Sequence, residues 1–345
     1  MRNAQGNLES EQTKPDISVI ISTRNRADSL AITLESLASA NREGVRVEVI
    51  VADNASQDHT KRVAESFGDR IPVRYCYVPT VGVYGKSHAL NHALDSGNIG
   101  ELIAVLDDDV TVDPNWLQAV MAISRRWPDK DNFTGNTYTI WPDGEVPAWA
   151  KDPALSCWIF SSYRVTESDL PQPSGMWWSG NHWWFRSRVV ANGRRFKDLW
   201  FTEPDFQLDL EELGLGGIAS SEAVIGHRVQ RALLQKDLVL KRAKNTGAGA
   251  AFVRLQPYRK TIKQARLLST HPWLGRAYLL ANYTRWRARY ILSYCYPSDR
   301  GRFSRKVDAT HHMTLYLEMF RMANRLDDYR LRKWARSHPT PEKAH

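Results

Sequence analysis

Four short apolar runs in the first third of the chain limit its fold more than any other feature. They are residues 15–22 (PDISVIIS), 47–52 (VEVIVA), 73–78 and 102–106 (LIAVL). Together they are largely apolar and rich in β-branched residues, the pattern of strands buried on both faces. Helix-spaced segments separate them. Asp28 or Ser29 is expected to cap a helix whose face is Leu30, Leu34 and Leu37. Further helices are expected over 57–67 and 87–96, and another from Val112-Asp113-Pro114. Alternation of this kind predicts a mostly parallel sheet with helices on both faces. Such sheets bind ligands at the carboxyl ends of their strands. Three runs end there in polar clusters: Thr23-Arg24-Asn25-Arg26, Asp53-Asn54-Ala55-Ser56 and Asp107-Asp108-Asp109.

Beyond residue 128 the pattern changes. Residues 128–200 are rich in Pro, Gly and Trp and read as short strands and loops. From Leu233, Leu234, Leu238 and Leu240 onward the chain reads as helical. Gly247-Ala248-Gly249 is expected to interrupt it, with longer helices near 258–296 and 303–334. Charge divides along the same line. Residues 1–227 hold 21 Lys/Arg against 31 Asp/Glu, and residues 228–345 hold 26 against 7, within a net charge of +9. A basic third on an acidic body suggests an anionic partner. Cys76, Cys157 and Cys295 show neither a disulfide framework nor metal-ligand spacing. With a polar start at residues 1–14 and no apolar stretch of about 18 residues, the expected location is cytoplasmic.

Three adjacent aspartates repel one another, and a hard cation such as Mg²⁺ or Mn²⁺ would offset that repulsion while bridging to phosphates. A solvated acidic turn is the plainer alternative. Asp53 could accept from a nucleoside base or ribose, or could close an Asx turn. Lys86 stands before a helix, where a cation and free N–H groups suit a diphosphate, although a surface lysine would look the same. Gly82 and Gly85 match neither a Rossmann nor a P-loop fingerprint. Trp177-Trp178-Ser179-Gly180-Asn181-His182-Trp183-Trp184 is the most aromatic stretch, suited to stacking on sugars or to filling a core.

Taken together, SVIISTRNRADSLAITLESL, VIVADNASQDHT, GKSHALNHAL and LIAVLDDDV resemble the first half of glycosyltransferase family 2, which has the GT-A fold. The likeness continues through Ser179-Gly180-Asn181, Phe185-Arg186, Glu203-Pro204-Asp205-Phe206 and His227, covering residues 16–228. It implies a Rossmann-like mixed, mostly parallel sheet flanked by helices, extended by basic C-terminal helices. It also implies an inverting transferase that uses a UDP-, GDP- or dTDP-sugar with Mn²⁺ or Mg²⁺. Thr23, Asn25, Arg26 and Asp53 would form the nucleotide pocket, with Lys86 near the diphosphate and Asn181 on the sugar. Asp107 and Asp109 would be the acids of the DxD motif around Asp108. Asp109 would be the foremost metal ligand, with Asp107 and His227 beside it.

The base is expected at Asp205, with Glu203 second. The family's Glu-Asp pair is here interrupted by Pro204, and Glu211 replaces an expected arginine. The resemblance divides the chain into a tail (1–14), a catalytic domain (15–228, split at 127/128 into nucleotide and acceptor halves), a basic helical region (229–336) and a tail (337–345). Arginines interleaved with Trp273, Leu274, Tyr278 and Trp286 fit an anionic membrane surface and a lipid-linked acceptor. A helical bundle docked on the acidic body fits as well. Rival readings are a nucleotidyltransferase, for which no nucleotide loop follows Ile20-Ile21, a nucleic-acid binder, for which no motif speaks, and an inactive nucleotide-sugar-binding protein.

Overall fold

The computed structural model describes residues 14–79, 85–166, 168–171, 182–197, 202–255 and 263–324. Strands Ile17–Thr23 (β1), Val47–Asp53 (β2), Val73–Tyr77 (β3) and Leu102–Asp107 (β4) lie parallel in the order β3-β2-β1-β4. Helices Ala27–Ala38 (α1), Thr60–Ser66 (α2) and Lys86–Asp95 (α3) connect them. The short strand Val110–Val112 (β5) and helix Trp116–Arg126 (α4) follow. Register sets Thr23 beside Asp53 and Ser22 beside Asp107. The three polar clusters of the sequence therefore share one edge.

The sheet continues with Asn132–Ile140 (β6), Leu170–Pro171 (β7), His182–Arg186 (β8) and Gly217–Arg228 (β9). β8 pairs antiparallel with both β4 and β6, while β6 and β9 are parallel, so the sheet is mixed. β5 pairs with β9, Val110 opposite His227. Because the acidic run links β4 to β5, this pairing carries it across to the end of β9.

Strand alternation explains why both faces are buried. Ile17, Val19 and Ile21 meet Leu30, Leu34 and Leu37 of α1 and Leu117 and Val120 of α4. Ile20, Ile50 and Val105 face the other way onto Ala89 and Leu90 of α3. Of Pro153–Phe160 (α5), Arg188–Ala191 (α6) and Thr202–Glu212 (α7), two join that second face: α6 adds Val189 and α7 adds Phe206 and Leu210. α5 turns instead toward the C-terminal helices.

Those helices are Lys236–Arg254 (α8), Lys263–Thr270 (α9), Pro272–Leu292 (α10) and Asp299–Asn324 (α11). Val239 and Ala243 of α8, Phe303 and Val307 of α11 and Ile159 and Phe160 of α5 share one apolar cluster. Ser304 donates to Asp152 at 2.8 Å at the same junction. Among the described residues no helix is long and apolar enough to cross a membrane.

Three local expectations need correcting. α8 runs through Gly247-Ala248-Gly249 without a break. Tertiary contact overrides helix propensity there, since a Cβ on Gly247 would stand 2.4 Å from the His311 carbonyl of α11. Glycine lets the two helices cross closely. α1 starts at Ala27 and neither Asp28 nor Ser29 caps it; Asp58, from the loop before α2, accepts from the Ala27 N–H at 3.0 Å. α4 begins at Trp116, beyond Pro114, after Asp113 closes a turn onto the Asn115 N–H.

Trp183 and Trp184 are core residues. Trp183 packs on Phe185, Phe196 and Phe206, whereas Trp184 stacks on Phe133 and donates to Ser124 at 3.0 Å. His182, just before them in β8, is fully buried, accepting from Trp116 Nε1 at 2.9 Å and donating from Nδ1 to the Asn136 carbonyl at 3.1 Å. Burial pushes its pKa down to about 3, and the Asn136 and Gly135 carbonyls oppose this only in part. Unfolded, the same imidazole binds a proton below 6.5. Between those values the unfolded chain holds more protons, so stability falls as pH is lowered. His182→Gln, which keeps an acceptor for Trp116, is expected to flatten the pH dependence of urea unfolding between 6.5 and about 5, by up to about 1.4 kcal/mol per pH unit. An unchanged slope would contradict the buried neutral imidazole.

Candidate functional site

The acidic run is held from two sides. Thr23, at the end of β1, donates to Asp108 Oδ2 at 2.7 Å. Arg26 reaches over the run, Nη1 to Asp108 Oδ1 at 2.6 Å and Nη2 to Asp109 Oδ2 at 2.8 Å. Beneath, the backbone is clamped. Ser29 and Thr33 of α1 donate to the Asp108 carbonyl at 2.8 and 2.9 Å. Arg228 donates to the Val110, Ser29 and Asp108 carbonyls at 2.5, 2.7 and 3.1 Å, and its N–H bonds the Asp109 carbonyl. Burial pushes Asp108 up to about 6 against the pull of Arg26 and Thr23.

Asp109 differs. Burial alone would raise it, yet His227 and Arg26 outweigh that and hold it well below the usual carboxylate range. Its Oδ1 is buried and has no hydrogen-bond partner among the described residues, while His227 Nε2 faces it at 3.6 Å. His227 Nδ1 lies 2.9 Å from the Phe160 carbonyl, which can only accept. In the neutral ring Nδ1 therefore carries the hydrogen and Nε2 offers a lone pair, the arrangement that fixes an imidazole as a metal ligand. Two lone-pair atoms then face each other at 3.6 Å, an arrangement that a metal ion between them would satisfy.

Such a pair fits Mg²⁺ or Mn²⁺, which take few protein ligands and fill the remainder with water and phosphate oxygens. Among the described residues no three His, Cys, Asp or Glu side chains already converge on one point. The fit thus rests on Asp109 and His227.

On the other side of the run, Lys86 at the start of α3 bridges Asp107 and Glu203. Burial would lower its pKa, but the two carboxylates more than compensate and keep it a firm cation. Asp205 is 1% exposed and meets Lys197 at 3.1 Å, which also holds Asp209 at 2.7 Å. The two candidate bases thus belong to two separate lysine networks at the start of α7.

The remaining expected residues shape the loops. Asn25, with φ 51°, accepts from the Gln57 N–H at 2.7 Å, and its own N–H donates to Ser56 at 2.9 Å. Asp53 is buried and accepts from the Ser56 N–H at 2.8 Å and from Tyr75 Oη at 2.6 Å. One oxygen closes the turn after β2 and the other ties it to β3. A cleft of about 270 Å³ opens beside them, lined by Asn25, Arg26, Ser29, Asp58, Asp109 and Arg228.

A family model described as glycosyl transferase family 2 matches residues 18–191, half of the chain. The chain belongs to glycosyltransferase family 2. Among its relatives, validoxylamine A glucosyltransferase of Streptomyces hygroscopicus subsp. jinggangensis is 35% identical over 108 residues, 31% of this chain and 25% of that protein. Succinoglycan biosynthesis protein ExoM of Rhizobium meliloti is 31% identical over 144 residues, 35% of this chain and 45% of that protein. The family-2 chain spans less than half the length of these curated relatives. Mannosyltransferase PcManGT from Pyrobaculum calidifontis, solved with GDP-Man and Mn²⁺, superposes at a TM-score of 0.53 with 18% identity, over 92% of this chain and 89% of that one. Staphylococcus aureus TarS 1–349 with UDP-GlcNAc gives 0.50 and 14%, over 91% and 93%. These likenesses show the GT-A fold.

In this family-2 chain the fold brings Thr23, Arg26, Asp107, Asp108, Asp109, Lys86, Glu203 and His227 together. Asp53 and Asn25 stand at the loops beside them and Asp205 behind Lys197. Asn181 lies outside the described residues, as do Trp177 and Trp178. Missed by the sequence were Arg228, Ser29 and Thr33, which hold the backbone of the acidic run, and Arg242 of α8, whose charge bears on Asp109 and Asp107. Arg228 directly follows His227, and that adjacency was the available signal. Arg228→Met is expected to cost about 2–3 kcal/mol in chemical denaturation, because buried carbonyls lose a charged donor. A loss under about 0.5 kcal/mol, the range of ordinary surface changes, would show that the clamp is dispensable.

Proposed function

We propose that this family-2 chain moves a glycosyl group from a nucleotide-diphospho-sugar to a hydroxyl acceptor, with inversion at the anomeric carbon. The observation that carries this reading is the opposed pair Asp109 Oδ1 and His227 Nε2, 3.6 Å apart, beside the lysine shared by Asp107 and Glu203. A carboxylate oxygen facing an imidazole lone pair suits a metal–diphosphate complex. The nucleotide sugars named for TarS and PcManGT, and the Mn²⁺ named for PcManGT, support the same choice.

Asp109 and His227, with Asp107 beside them, would hold Mn²⁺ or Mg²⁺, which supplies positive charge to diphosphate oxygens when bound. Arg26 and Lys86 donate N–H bonds to the same diphosphate once it displaces their carboxylate partners. Asp53 orders the turn that carries the base and ribose, and Thr23 and Asn25 shape its walls. Asp205 accepts the proton of the acceptor hydroxyl as that oxygen attacks the anomeric carbon. The bond from that carbon to the diphosphate oxygen breaks, and the nucleoside diphosphate leaves with the electron pair. Glu203 has the different task of orienting Lys86. The acceptor class proposed is a lipid-linked or cell-surface glycan precursor, in keeping with ExoM, whose name assigns it to succinoglycan biosynthesis.

In a thermal-shift screen against UDP-, GDP- and dTDP-sugars, one nucleotide class with Mn²⁺ is expected to raise the Tm. Asp109→Asn should lose the metal-dependent part of that rise and keep its own folding. No rise with any nucleotide would overturn the donor assignment.

The two acids of α7 separate by kinetics. Asp205→Asn is expected to lower kcat by about 100-fold or more with donor affinity kept, the size of a lost general base. Glu203→Gln should weaken donor binding first. The reverse outcome would exchange their roles, and a product of retained configuration would end the single-displacement reading.

A further inference from the structure

One surface of the C-terminal region has no task in that chemistry. Between Asp237 and Asp299 the chain holds no Asp or Glu at all, against 12 Lys/Arg. α10 lies inside this stretch. Its inner face is settled: Gly275 and Leu279 are buried, Gly275 is in contact range of Leu268 on α9, and Trp286 stacks on His312 of α11 at 4.1 Å.

The outer face carries side chains that a solvated helix would not need. Trp273 is 75% exposed, Leu280 45% and Ile291 60%. Their spacing of 7 and 11 residues is close to whole turns at 3.6 residues each, so they form one stripe along the helix. Leu274 and Leu292 widen it at the two ends, both exposed. Small residues lie between, at Ala277, Ala281 and Ala288, and all three are exposed. Arg285 and Arg287 are exposed at its edges, and Arg289 leans over the Trp286 ring at 4.4 Å.

We propose that the outer face of α10 docks flat on a lipid bilayer containing anionic lipids, its Trp273–Leu280–Ile291 stripe entering the boundary between headgroups and acyl chains. An apolar stripe with basic rims and no acid is the chemistry of an interfacial helix, in which apolar burial and attraction to negative headgroups act together. At about 31 Å for 21 residues, α10 offers a line of contact long enough for several side chains to insert at once. Charge decides among the possible occupants. A second copy meeting this face about a two-fold axis would bring arginine against arginine. A nucleic-acid backbone would meet apolar side chains at the centre of the face, where phosphates need cations. A negatively charged lipid surface satisfies stripe and rims together. α10 packs on α9 and α11, and none of the acidic-run contacts named above involves it.

Vesicle co-sedimentation of the full chain tests this. Wild-type protein is expected to pellet with phosphatidylcholine vesicles containing about 30% phosphatidylglycerol and to stay in the supernatant with phosphatidylcholine alone. The double variant Trp273→Ser/Ile291→Ser, both sites being solvent-facing, should keep the wild-type melting temperature and lose vesicle affinity by roughly tenfold or more. Arg285→Gln/Arg287→Gln should weaken binding less and reduce its salt dependence. Absence of binding to the anionic vesicles at low salt would overturn the proposal, as would undiminished binding of the serine variant. A stable dimer in gel filtration that the serine substitutions dissolve would overturn it too, by assigning the stripe to a second copy of the chain. All of these readouts hold whether or not the donor reading stands.

Discussion

Everything around the sheet edge is arranged by the mutual repulsion of Asp107, Asp108 and Asp109. Carboxylates this close cannot be buried unless each meets a cation or donor. The chain answers with cations and donors from several elements. Lys86 takes Asp107, Arg26 and Thr23 take Asp108, and Arg26 and His227 divide Asp109. The four partners come from the end of β1, the starts of α1 and α3 and the far strand β9. Burial shifts Asp108 one way, while His227 and Arg26 beside Asp109 shift it the other. A donor diphosphate entering here would meet cations already gathered at the acidic run and would have to exchange with their carboxylate partners.

The mixed sheet makes this convergence possible. A purely parallel sheet would have returned the chain from β4 into another helix. Here β5 pairs antiparallel with β9, and the link between β4 and β5 is the acidic run itself. His227 and Arg228 arrive through that pairing, one turned to the carboxylate and the other to the backbone carbonyls. Their adjacency in sequence places them on opposite faces of one strand, as strand alternation requires.

Much of the nucleotide half could be read from the sequence because its signals are local. Each strand is a largely apolar run, and each polar cluster immediately follows one, so β1, β2 and β4 and the residues at their ends were legible together. What failed was long-range. The cap of α1 comes from Asp58, about 30 residues away along the chain, and the continuity of α8 through Gly247 depends on α11. The aromatic segment was ambiguous because exposure cannot be read from composition. Trp183 and Trp184 filled the two cores on either side of β8. Arg228 and Arg242 carried no motif, and their value appears only once β9 and α8 lie beside the acidic run.

The carbonyl of Phe160 has an importance beyond its single hydrogen bond. It selects the tautomer of His227, and it is the last residue of α5, whose side chain is locked among Val239, Ala243, Phe303 and Val307. The imidazole is therefore aligned by a helix that leans on the C-terminal bundle. Residues on both sides of 228 share that core, although composition and charge change sharply there. Severing the chain at this point would not liberate a working catalytic module; it would loosen the one backbone oxygen that tells His227 which nitrogen to present.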